Sequence, residues 1–160
     1  MGINFSKVNF AYFTPRKKQN IRYVLKDINL NIEKEDEFIA VVGHTGSGKS
    51  TLVQHMNALL FPTSGTLKIF GNIVNKKIKL KPIRKRVGLV FQFPEYQIFE
   101  DTVKKDILFG PKNFEVENAE EKVIEIAQMM GITDLLERSP FTLSGGQLRK
   151  VAISGILASE

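Results

Sequence analysis

The stretch Gly43-His44-Thr45-Gly46-Ser47-Gly48-Lys49-Ser50 decides the fold of this 160-residue chain, because it fits the phosphate-binding pattern G-x-x-x-x-G-K-[ST]. Glycines let the backbone turn so that successive N–H groups face one point and hold anionic oxygens. Lys49 adds a positive charge for the outer phosphates of a nucleotide, and the Ser50 hydroxyl can ligate Mg2+. The octapeptide therefore predicts a nucleotide-phosphate site.

The residues on either side of this loop favour the strand–loop–helix order that such a site needs. Residues 38–42 form a short apolar run with β-branched members, which is typical of a buried parallel strand. Residues 49–60 predict a helix whose positive dipole end faces the phosphates; its apolar members are Leu52, Val53, Met56, Leu59 and Leu60. A dinucleotide-binding G-x-G-x-x-G fits less well, because Thr45 stands where that pattern needs glycine. A glycine-rich turn that binds nothing is the plain alternative.

Composition indicates one globular domain with a sizeable core, since 42% of the residues are hydrophobic and 25% are charged. No apolar run approaches the roughly 18 residues that span a bilayer, and the amino terminus lacks a signal-peptide core. We therefore expect an intracellular protein that is not itself embedded in a membrane. The absence of cysteine excludes disulfides and thiol chemistry.

The formal net charge is +6, and much of the excess lies in residues 76–86, which carry no acidic side chain. The basic members of this stretch are Lys76, Lys77, Lys79, Lys81, Arg84, Lys85 and Arg86. A solvated connector is the favoured interpretation, an anionic membrane surface comes next, and nucleic acid comes last because no aromatics are interleaved to stack on bases.

Alternating apolar and polar residues predict half-exposed antiparallel strands at 8–12 and 28–32, separated by a polar loop at 14–20. Residues 66–70 and 87–91 are further strand candidates, the latter buried. After Gln92 the pattern turns helical. Asp101 or Thr102 is placed to cap a helix through Phe109, which Gly110-Pro111 would stop. A further helix ending near Gly131 is predicted by apolar residues at i, i+3, i+4 and i+7, namely Val123, Ile126, Ala127 and Met130.

A second motif, Leu143-Ser144-Gly145-Gly146-Gln147, precedes an apolar stripe at helical spacing formed by Leu148, Val151, Ala152 and Ile156. Ser144 is placed to cap this helix. The two glycines leave amides bare at its amino end, which predicts a second anion site. An ordinary capped turn is the alternative.

With both motifs present, the chain resembles the nucleotide-binding domain of ABC transporters over its whole length. The resemblance implies an α/β phosphate-loop NTPase with an amino-terminal antiparallel β subdomain and a helical subdomain. It divides the chain into a β-rich nucleotide-binding core at 1–91, a glutamine loop and helical subdomain at 92–142, and the signature motif with its helix at 143–160. It also implies binding of ATP and Mg2+.

The resemblance also implies a head-to-tail dimer, in which the signature of one subunit contacts ATP on the phosphate loop of a second, identical or similar ATPase subunit. The implied nucleotide contacts in one subunit are Tyr12, which stacks on adenine, and Gly43, His44, Thr45, Gly46, Ser47, Gly48, Lys49, Ser50 and Thr51. Those supplied by the partner are Leu143, Ser144, Gly145, Gly146 and Gln147. Lys49 and Gln92 are implied in catalysis, and Ser50 and Gln92 in holding Mg2+. The alternatives are that Tyr12 only packs within its strand and that Gln92 is an ordinary solvated glutamine.

Finer details are similar to the ATPase subunits of energy-coupling factor transporters, which import vitamins or transition-metal ions such as cobalt and nickel. The residues that carry this likeness are His44, Phe91-Gln92-Phe93-Pro94-Glu95-Tyr96-Gln97-Ile98-Phe99-Glu100, Phe109-Gly110-Pro111 and Gln147-Leu148-Arg149-Lys150-Val151-Ala152-Ile153. The likeness implies a transmembrane coupling subunit and a substrate-binding membrane subunit as partners. It implies a peripheral position on the cytoplasmic face of the cell membrane, and no nucleic-acid partner.

The sequence departs from the family in lacking an apolar strand that ends in Asp-Glu and a switch histidine after it. The resemblance is thus to the amino-terminal portion, incomplete at the carboxyl end, and we expect ATP binding without appreciable hydrolysis, since the water-positioning carboxylate is absent. Two alternatives stay open. One is a soluble ABC-type ATPase that acts on nucleic acid; the other is a GTPase or nucleotide kinase, although Asn75-Lys76-Lys77-Ile78 misses the guanine motif N-K-x-D.

Overall fold

A computed structural model describes residues 2–13, 21–33 and 37–159. The chain divides into two compact units, Met1–Val87 and Gly88–Glu160. The first unit is built on a β-sheet and the second on helices, and each has its own buried apolar core. The loop predicted over residues 14–20 lies outside the described residues.

Antiparallel strands in the order β2-β1-β3-β4 form a sheet in the first unit. They are β1 (Ile3–Phe10), β2 (Leu25–Ile32), β3 (Ser64–Ile69) and β4 (Asn72–Ile73). The register pairs Ile3 of β1 with Ile32 of β2 and with Ile69 of β3. Since successive side chains point to opposite faces, this register gathers apolar side chains of three strands on one face. The antiparallel strands predicted near residues 8–12 and 28–32 and the strand near 66–70 are thus confirmed, with shifted bounds.

Helix α1 (Lys49–Met56) follows the glycine-rich loop and is shorter than the predicted stretch of residues 49–60. It ends because Ala58 takes a left-handed φ of 53°, and the amides of Leu59 and Leu60 turn back to the carbonyl of Gln54. Met56 packs against the core of this unit together with Leu52. The buried members of that core are Phe5, Val8, Ala58, Leu67, Ile69, Val74 and Ile83.

Two predicted buried strands are wrong. Residues 38–42 are not in a strand, and Phe38 and Val42 are 98% and 87% exposed. Residues 87–91 are likewise not in a strand, and Val90 and Phe91 are exposed. A strand exists only when neighbouring main chains satisfy its N–H and C=O groups. Within the described ranges, the strands pair only among themselves, so neither apolar run has the ladder partner and the cover that a parallel strand needs.

A short helix, α2 (Lys81–Arg86), lies near the end of the first unit and carries much of the basic stretch. Ile83 is buried in the core, whereas Lys81 and Arg86 are exposed. The helix thus turns one aliphatic side chain inward, while its basic side chains range from half-buried to exposed.

Three helices enclose the core of the second unit: α3 (Val103–Asn113), α4 (Ala119–Met130) and α5 (Gly145–Leu157). A short 3-10 helix at Pro94–Gln97 precedes α3, and two more, at Thr133–Leu135 and Pro140–Thr142, lie between α4 and α5. The helix predicted to end near Gly131 is confirmed as α4, and Gly131 ends it with a left-handed φ of 62°.

Thr102 is confirmed as the cap of α3, because its hydroxyl accepts from the Lys105 amide at 3.3 Å. The predicted stop at Gly110-Pro111 is wrong, since α3 continues to Asn113. Proline lacks an N–H donor, so in the last turn of a helix it removes a single backbone hydrogen bond. The Pro111 ring is fully buried, and the Phe114 amide still reaches the Gly110 carbonyl at 2.9 Å. Packing therefore outweighs the missing donor.

Candidate nucleotide-binding site

The glycine-rich loop at residues 43–48 turns sharply before α1 and exposes residues 43–47. The Ser47 amide donates to the His44 carbonyl at 3.2 Å, which closes one turn of the loop. Gly46 and Gly48 have φ values of 81° and 92°. This left-handed region costs other residues about 1–2 kcal/mol each. The backbone path therefore depends on glycine at these two positions.

The amino end of α1 is open. Gly48 is its N-cap, no side chain caps it, and its first turn contains no acidic residue. A helix leaves its first four amides without intrahelical partners, and the same end carries the positive pole of the dipole. A Cβ at Gly48 would lie 3.1 Å from the carbonyl oxygen of Val24 and 3.1 Å from a methyl carbon of Leu25. The site thus combines unpaired donors with a close backbone approach that only glycine permits, as an anion site requires.

Lys49 is tied to the loop itself. Its Nζ donates to the carbonyls of Gly43 and His44, both at 2.8 Å. The ammonium group is therefore already placed at the mouth of the loop by two bonds to neutral acceptors. Phosphate oxygens are charged acceptors and form stronger bonds than carbonyls do. A bound nucleotide can therefore displace these internal partners without leaving Lys49 unpaired.

The other residues of this segment that were predicted to contact the nucleotide differ in how exposed they are. His44, Thr45, Ser47 and Ser50 are exposed, so their side chains are accessible to a ligand. Thr51 is buried, and its hydroxyl shares a hydrogen bond of 3.0 Å with the hydroxyl of Tyr12. The Thr51 hydroxyl thus already has a hydrogen-bond partner within the protein.

Tyr12 lies two residues beyond the end of β1 and reaches the start of α1 through that bond to Thr51. Its ring also packs edge-on against Phe10, with ring centroids 4.9 Å apart. The ring is nevertheless 65% exposed, so much of its surface faces solvent. The structure therefore brings Tyr12 to the phosphate-loop helix, as the stacking hypothesis needs.

Sequence reasoning missed His55, which is fully buried in α1. Its Nδ1 donates to the Thr51 carbonyl at 2.7 Å, since a carbonyl can only accept. Burial lowers the pKa of His55, and the backbone groups of Thr51 and Phe61 act in the opposite direction. The signal was its spacing of four residues from Thr51, which places both on one face of a helix.

The second motif lies in the second unit and begins α5. Ser144 caps the helix as predicted: its hydroxyl accepts from the Gln147 amide at 3.4 Å. The Gln147 side chain reaches back and accepts from the Ser144 amide at 2.9 Å, completing a capping box. Gly145 and Gly146 are exposed, and a Cβ at either would meet no atom within 4 Å. Open space therefore surrounds the two glycines, while Ser144 and Gln147 hold the helix start in shape.

Gln92 lies near the start of the second unit with an exposed side chain. The segment just before it is held by Gln97, whose side-chain amide donates to the Leu89 carbonyl at 3.2 Å. The same side chain accepts from the Phe91 amide at 3.3 Å. Gln92 thus follows a backbone segment that the Gln97 side chain holds in place.

The basic stretch is partly used inside the first unit. The Arg84 guanidinium donates to the Ala58 carbonyl at 3.2 Å. The Arg86 guanidinium lies over the Phe70 ring, 3.6 Å from its centroid, a cation–π contact. Two of the strongest phosphate-binding groups in the stretch thus have protein partners.

The first unit holds Tyr12 and the phosphate loop together, and the second unit holds Gln92 and the signature motif. In the described part of the chain, no three His, Cys, Asp or Glu side chains cluster as a metal site would require. Within the same ranges, no helix has the length and apolarity to cross a membrane.

Comparison with known proteins shows which proteins this chain is similar to. A family model described as ABC transporter matches residues 25–160. The energy-coupling factor transporter ATP-binding protein EcfA2 of Bacillus subtilis is 57% identical over 145 residues, covering 87% of this chain and 52% of that protein. The chain thus spans about half the length of this curated relative, 52%.

Solved structures are similar as well. The structure of CbiO1 from Clostridium perfringens, part of the ABC transporter complex CbiONQ, has a TM-score of 0.79 at 32% identity, covering 98% of this chain and 61% of that one. A dimeric, post-hydrolysis structure of the ATP-binding cassette MJ0796 with ADP and Pi has a TM-score of 0.80 at 30% identity, covering 98% of this chain and 69% of that one.

Proposed function

The chain belongs to the ABC transporter ATPase family, and from this premise we propose that it is the ATP-binding part of an energy-coupling factor type importer. Mg-ATP binds along residues 43–51, with the adenine stacked on Tyr12. The observation that carries the proposal is the open start of α1, where uncapped amides and the Lys49 ammonium converge on the glycine-rich loop. Each hydrogen bond to a charged phosphate oxygen contributes roughly 1.5–3 kcal/mol, so a few such donors suffice for useful affinity.

Ser50 and Gln92 are the proposed Mg2+ ligands. The Ser50 hydroxyl is exposed at the open helix start, where a metal bound to phosphates would lie. When bound, the metal neutralises charge that develops on the phosphates. Lys49 and Gln92 are the catalytic residues of the proposal: Lys49 stabilises negative charge on the outer phosphates, and Gln92 orients the attacking water.

A second ATPase subunit, identical or similar, completes the site in the proposal. The start of α5 in one subunit, from Leu143 to Gln147, faces the nucleotide held by the other. The open space around Gly145 and Gly146 supports this assignment, because a phosphate can approach their backbone closely. The dimeric form of the similar cassette MJ0796 supports it further.

The 160-residue chain is proposed to bind ATP but to hydrolyse it hardly at all. Phosphoryl transfer to water requires a group that positions the nucleophile, and no apolar run ending in Asp-Glu occurs in the sequence to supply it. An ATPase assay checks this point, and turnover typical of intact cassettes would contradict it.

Membrane subunits are the proposed partners, one coupling and one substrate-binding, at the cytoplasmic face of the cell membrane. The cargo is a vitamin or a transition-metal ion such as cobalt. Exposed aromatic side chains in the second unit, among them the edge-on pairs Phe93–Tyr96 and Phe99–Phe109, support a protein partner there. The ring centroids of Phe99 and Phe109 lie 4.8 Å apart. Phe109 lines an open groove of about 500 Å³ together with Leu108, Lys105 and Lys112 among others.

The turn at Phe99 and Glu100 is held by the half-buried carboxylate of Asp106. The Asp106 Oδ1 atom accepts from the amides of Phe99 and Glu100, at 3.0 and 3.3 Å. Burial raises the pKa of Asp106, and these two amides act against the rise. Phe99 thus stands on a fixed turn, which favours a preformed docking site at this side chain.

Calorimetric titration with Mg-ATP tests the proposed function directly. We expect saturable heat with Mg-ATP, and weaker competition by Mg-GTP, which provides the control for a GTPase. No heat from folded protein, or a preference for GTP, would contradict the proposal.

A soluble ATPase acting on nucleic acid is the second candidate, favoured only by the basic stretch at residues 76–86. It requires salt-sensitive DNA or RNA binding, which filter binding at moderate salt measures. The engagement of Arg84 and Arg86 inside the first unit weighs against it.

A further inference from the structure

Tyr12 belongs to a cluster of four residues in the first unit, connected by side-chain contacts and by one bond to a backbone carbonyl. Its hydroxyl meets the Thr51 hydroxyl at 3.0 Å, and its ring meets the Phe10 ring edge-on at 4.9 Å. His55 contacts both of these neighbours: Nδ1 donates to the Thr51 carbonyl at 2.7 Å, and the imidazole packs edge-on against Phe10 at 4.7 Å. Two separate contact paths therefore connect His55 to Tyr12.

Three of these four residues are buried, whereas Tyr12 is exposed. His55 is 0% exposed, and Phe10 and Thr51 are each 6% exposed, whereas Tyr12 is 65% exposed. The backbone beneath Tyr12 is fixed as well, since the Val24 amide donates to the Phe10 carbonyl at 2.7 Å and the Ala11 amide donates to the Thr63 hydroxyl at 3.1 Å. Tyr12 is thus an exposed ring on a rigid base, at the edge of an open cleft of about 510 Å³. A cleft of this size accommodates a nucleobase.

We infer that His55, acting through Thr51 and Phe10, is a positioning residue that sets the ring of Tyr12 for stacking on the base of the nucleotide. The inference rests on the proposed function, in which Tyr12 takes the adenine. A stacking platform gains affinity by being held in place before the ligand arrives, because less side-chain freedom is then lost on binding.

The imidazole suits this role in its neutral form. Nδ1 carries the proton that Thr51 accepts, and the lowered pKa that burial causes keeps the ring uncharged near neutral pH. The imidazole also packs edge-on against the Phe10 ring. An aliphatic residue can fill the same volume but lacks the donor and the aromatic edge.

The test compares the affinity of the chain for Mg-ATP with its affinity for Mg-tripolyphosphate, both by calorimetry. Tripolyphosphate has the phosphates but no base, so the ratio of the two affinities reports the contribution of the base alone. Base–aromatic stacking contributes about 1–3 kcal/mol, so Tyr12→Ala is expected to lower the ratio about 5- to 150-fold. His55→Leu is expected to lower it about fivefold, the equivalent of one neutral hydrogen bond, with tripolyphosphate binding unchanged.

Matched variants separate positioning from general destabilisation. Met56→Ala removes a side chain that packs on the core from the adjacent position of α1, and the ratio is expected to stay at its wild-type value. His55→Asn keeps a donor near the position of Nδ1 and is expected to recover part of the ratio. Phe10→Leu keeps apolar bulk, removes the ring that joins His55 to Tyr12, and is expected to lower the ratio even where His55→Leu fails to fold.

The outcomes distinguish this inference from the proposed function. A ratio that falls in Tyr12→Ala but not in His55→Leu or Phe10→Leu would overturn the positioning role and leave ATP binding intact. Equal losses of ATP and tripolyphosphate affinity in His55→Leu would assign His55 to stability alone and also overturn it. If wild-type protein bound neither ligand, the proposed function would fail first, and the inference with it.

Discussion

The starts of α1 and α5 both contain glycine, but they differ in whether a side chain caps the helix. At α1 the cap is Gly48, no side chain caps the helix, and the amides face the open loop. At α5 the capping box pairs the amides of Ser144 and Gln147 from within the chain. A capped helix start is more stable without a ligand, whereas the uncapped amides of an open start depend on an anion or water for partners. In the proposed function, α1 accordingly provides the primary phosphate affinity, and α5 provides a preshaped surface that acts once a partner presents the nucleotide.

Removal of the Lys49 ammonium group is expected to have the largest effect. Lys49→Ala should lower Mg-ATP affinity at least about 100-fold, because charge-assisted bonds contribute about 1.5–3 kcal/mol each. Titration calorimetry measures the change. Lys77→Ala, at an exposed lysine outside the loop, is the matched control and should bind as wild type does. Equal losses in both variants would mean that net charge, not the loop, attracts the nucleotide.

A charge at the start of α5 should leave that helix folded and block assembly. Gly145→Asp has room for its side chain, since a Cβ there meets no atom within 4 Å, and an acidic group near a helix start is favourable. We expect ATP binding by the monomer to change less than about twofold, and ATP-dependent dimerisation to be lost through repulsion of the phosphates. Sedimentation with Mg-ATP measures this.

Gly145→Ala provides the neutral control for that variant and should dimerise more readily than Gly145→Asp. Loss of ATP binding by the Gly145→Asp monomer would contradict the division of roles between the two helix starts.

The two loop glycines offer a test of how strictly α1 depends on its backbone path. Gly48→Ala should lower the free energy of unfolding by about 2–3 kcal/mol, because the left-handed φ costs about 1–2 kcal/mol and the new Cβ approaches backbone. Gly46→Ala has a similar φ but open space, and should cost only about 1–2 kcal/mol. Denaturant titration of both variants gives the difference, and a larger cost at Gly46 would disprove the steric account.

Loss of the α5 cap should have a smaller and purely structural effect. Ser144→Ala removes the hydroxyl that accepts from the Gln147 amide, which typically costs about 1 kcal/mol of stability. Urea unfolding measures the loss. Ser139→Ala, outside the capping box, serves as the control. If Ser144→Ala altered ATP affinity of the monomer, α5 would not be confined to the partner's nucleotide.

The smallest expected effect is the pH dependence that His55 gives to α1. Because burial lowers the pKa of His55 below its usual 6.5, the unfolded chain takes up the proton first, and stability falls as pH drops below that value. Between pH 6.5 and 5.5 the loss from this group is at most about 1 kcal/mol. His55→Leu should remove this part of the slope, and an unchanged slope would show that His55 does not titrate differently on folding.

The parts of the fold that depend on near neighbours were predictable from the sequence. The alternation at residues 28–32 needs only the adjacent β1 to become a strand, and Ser144 needs only Gln147 to become a cap. Residues 38–42 have equally strong strand character, but a parallel strand depends on distant partners that no local pattern specifies. Pro111 shows the same limit, since burial of its ring overrode a helix-stop signal.

The candidate site was predictable in its residues but not in its contacts. The phosphate-loop pattern identified Lys49, whereas its bonds to the Gly43 and His44 carbonyls depend on the fold of the loop. The bond between Tyr12 and Thr51 joins residues 39 positions apart, which no spacing rule connects. His55 was overlooked because its role depends on that bond and on Phe10.

Cysteine cross-linking tests most directly whether the two helix starts close on one nucleotide, and the chain favours it because it contains no cysteine. Protein carrying Ser47→Cys, in the loop, is mixed with protein carrying Gly145→Cys, at the start of α5, and oxidised with or without Mg-ATP. We predict a mixed disulfide dimer that Mg-ATP strongly increases, and no such increase when Lys77→Cys replaces Ser47→Cys. A yield that does not respond to Mg-ATP, or that is equal for Ser47→Cys and Lys77→Cys, would contradict the account.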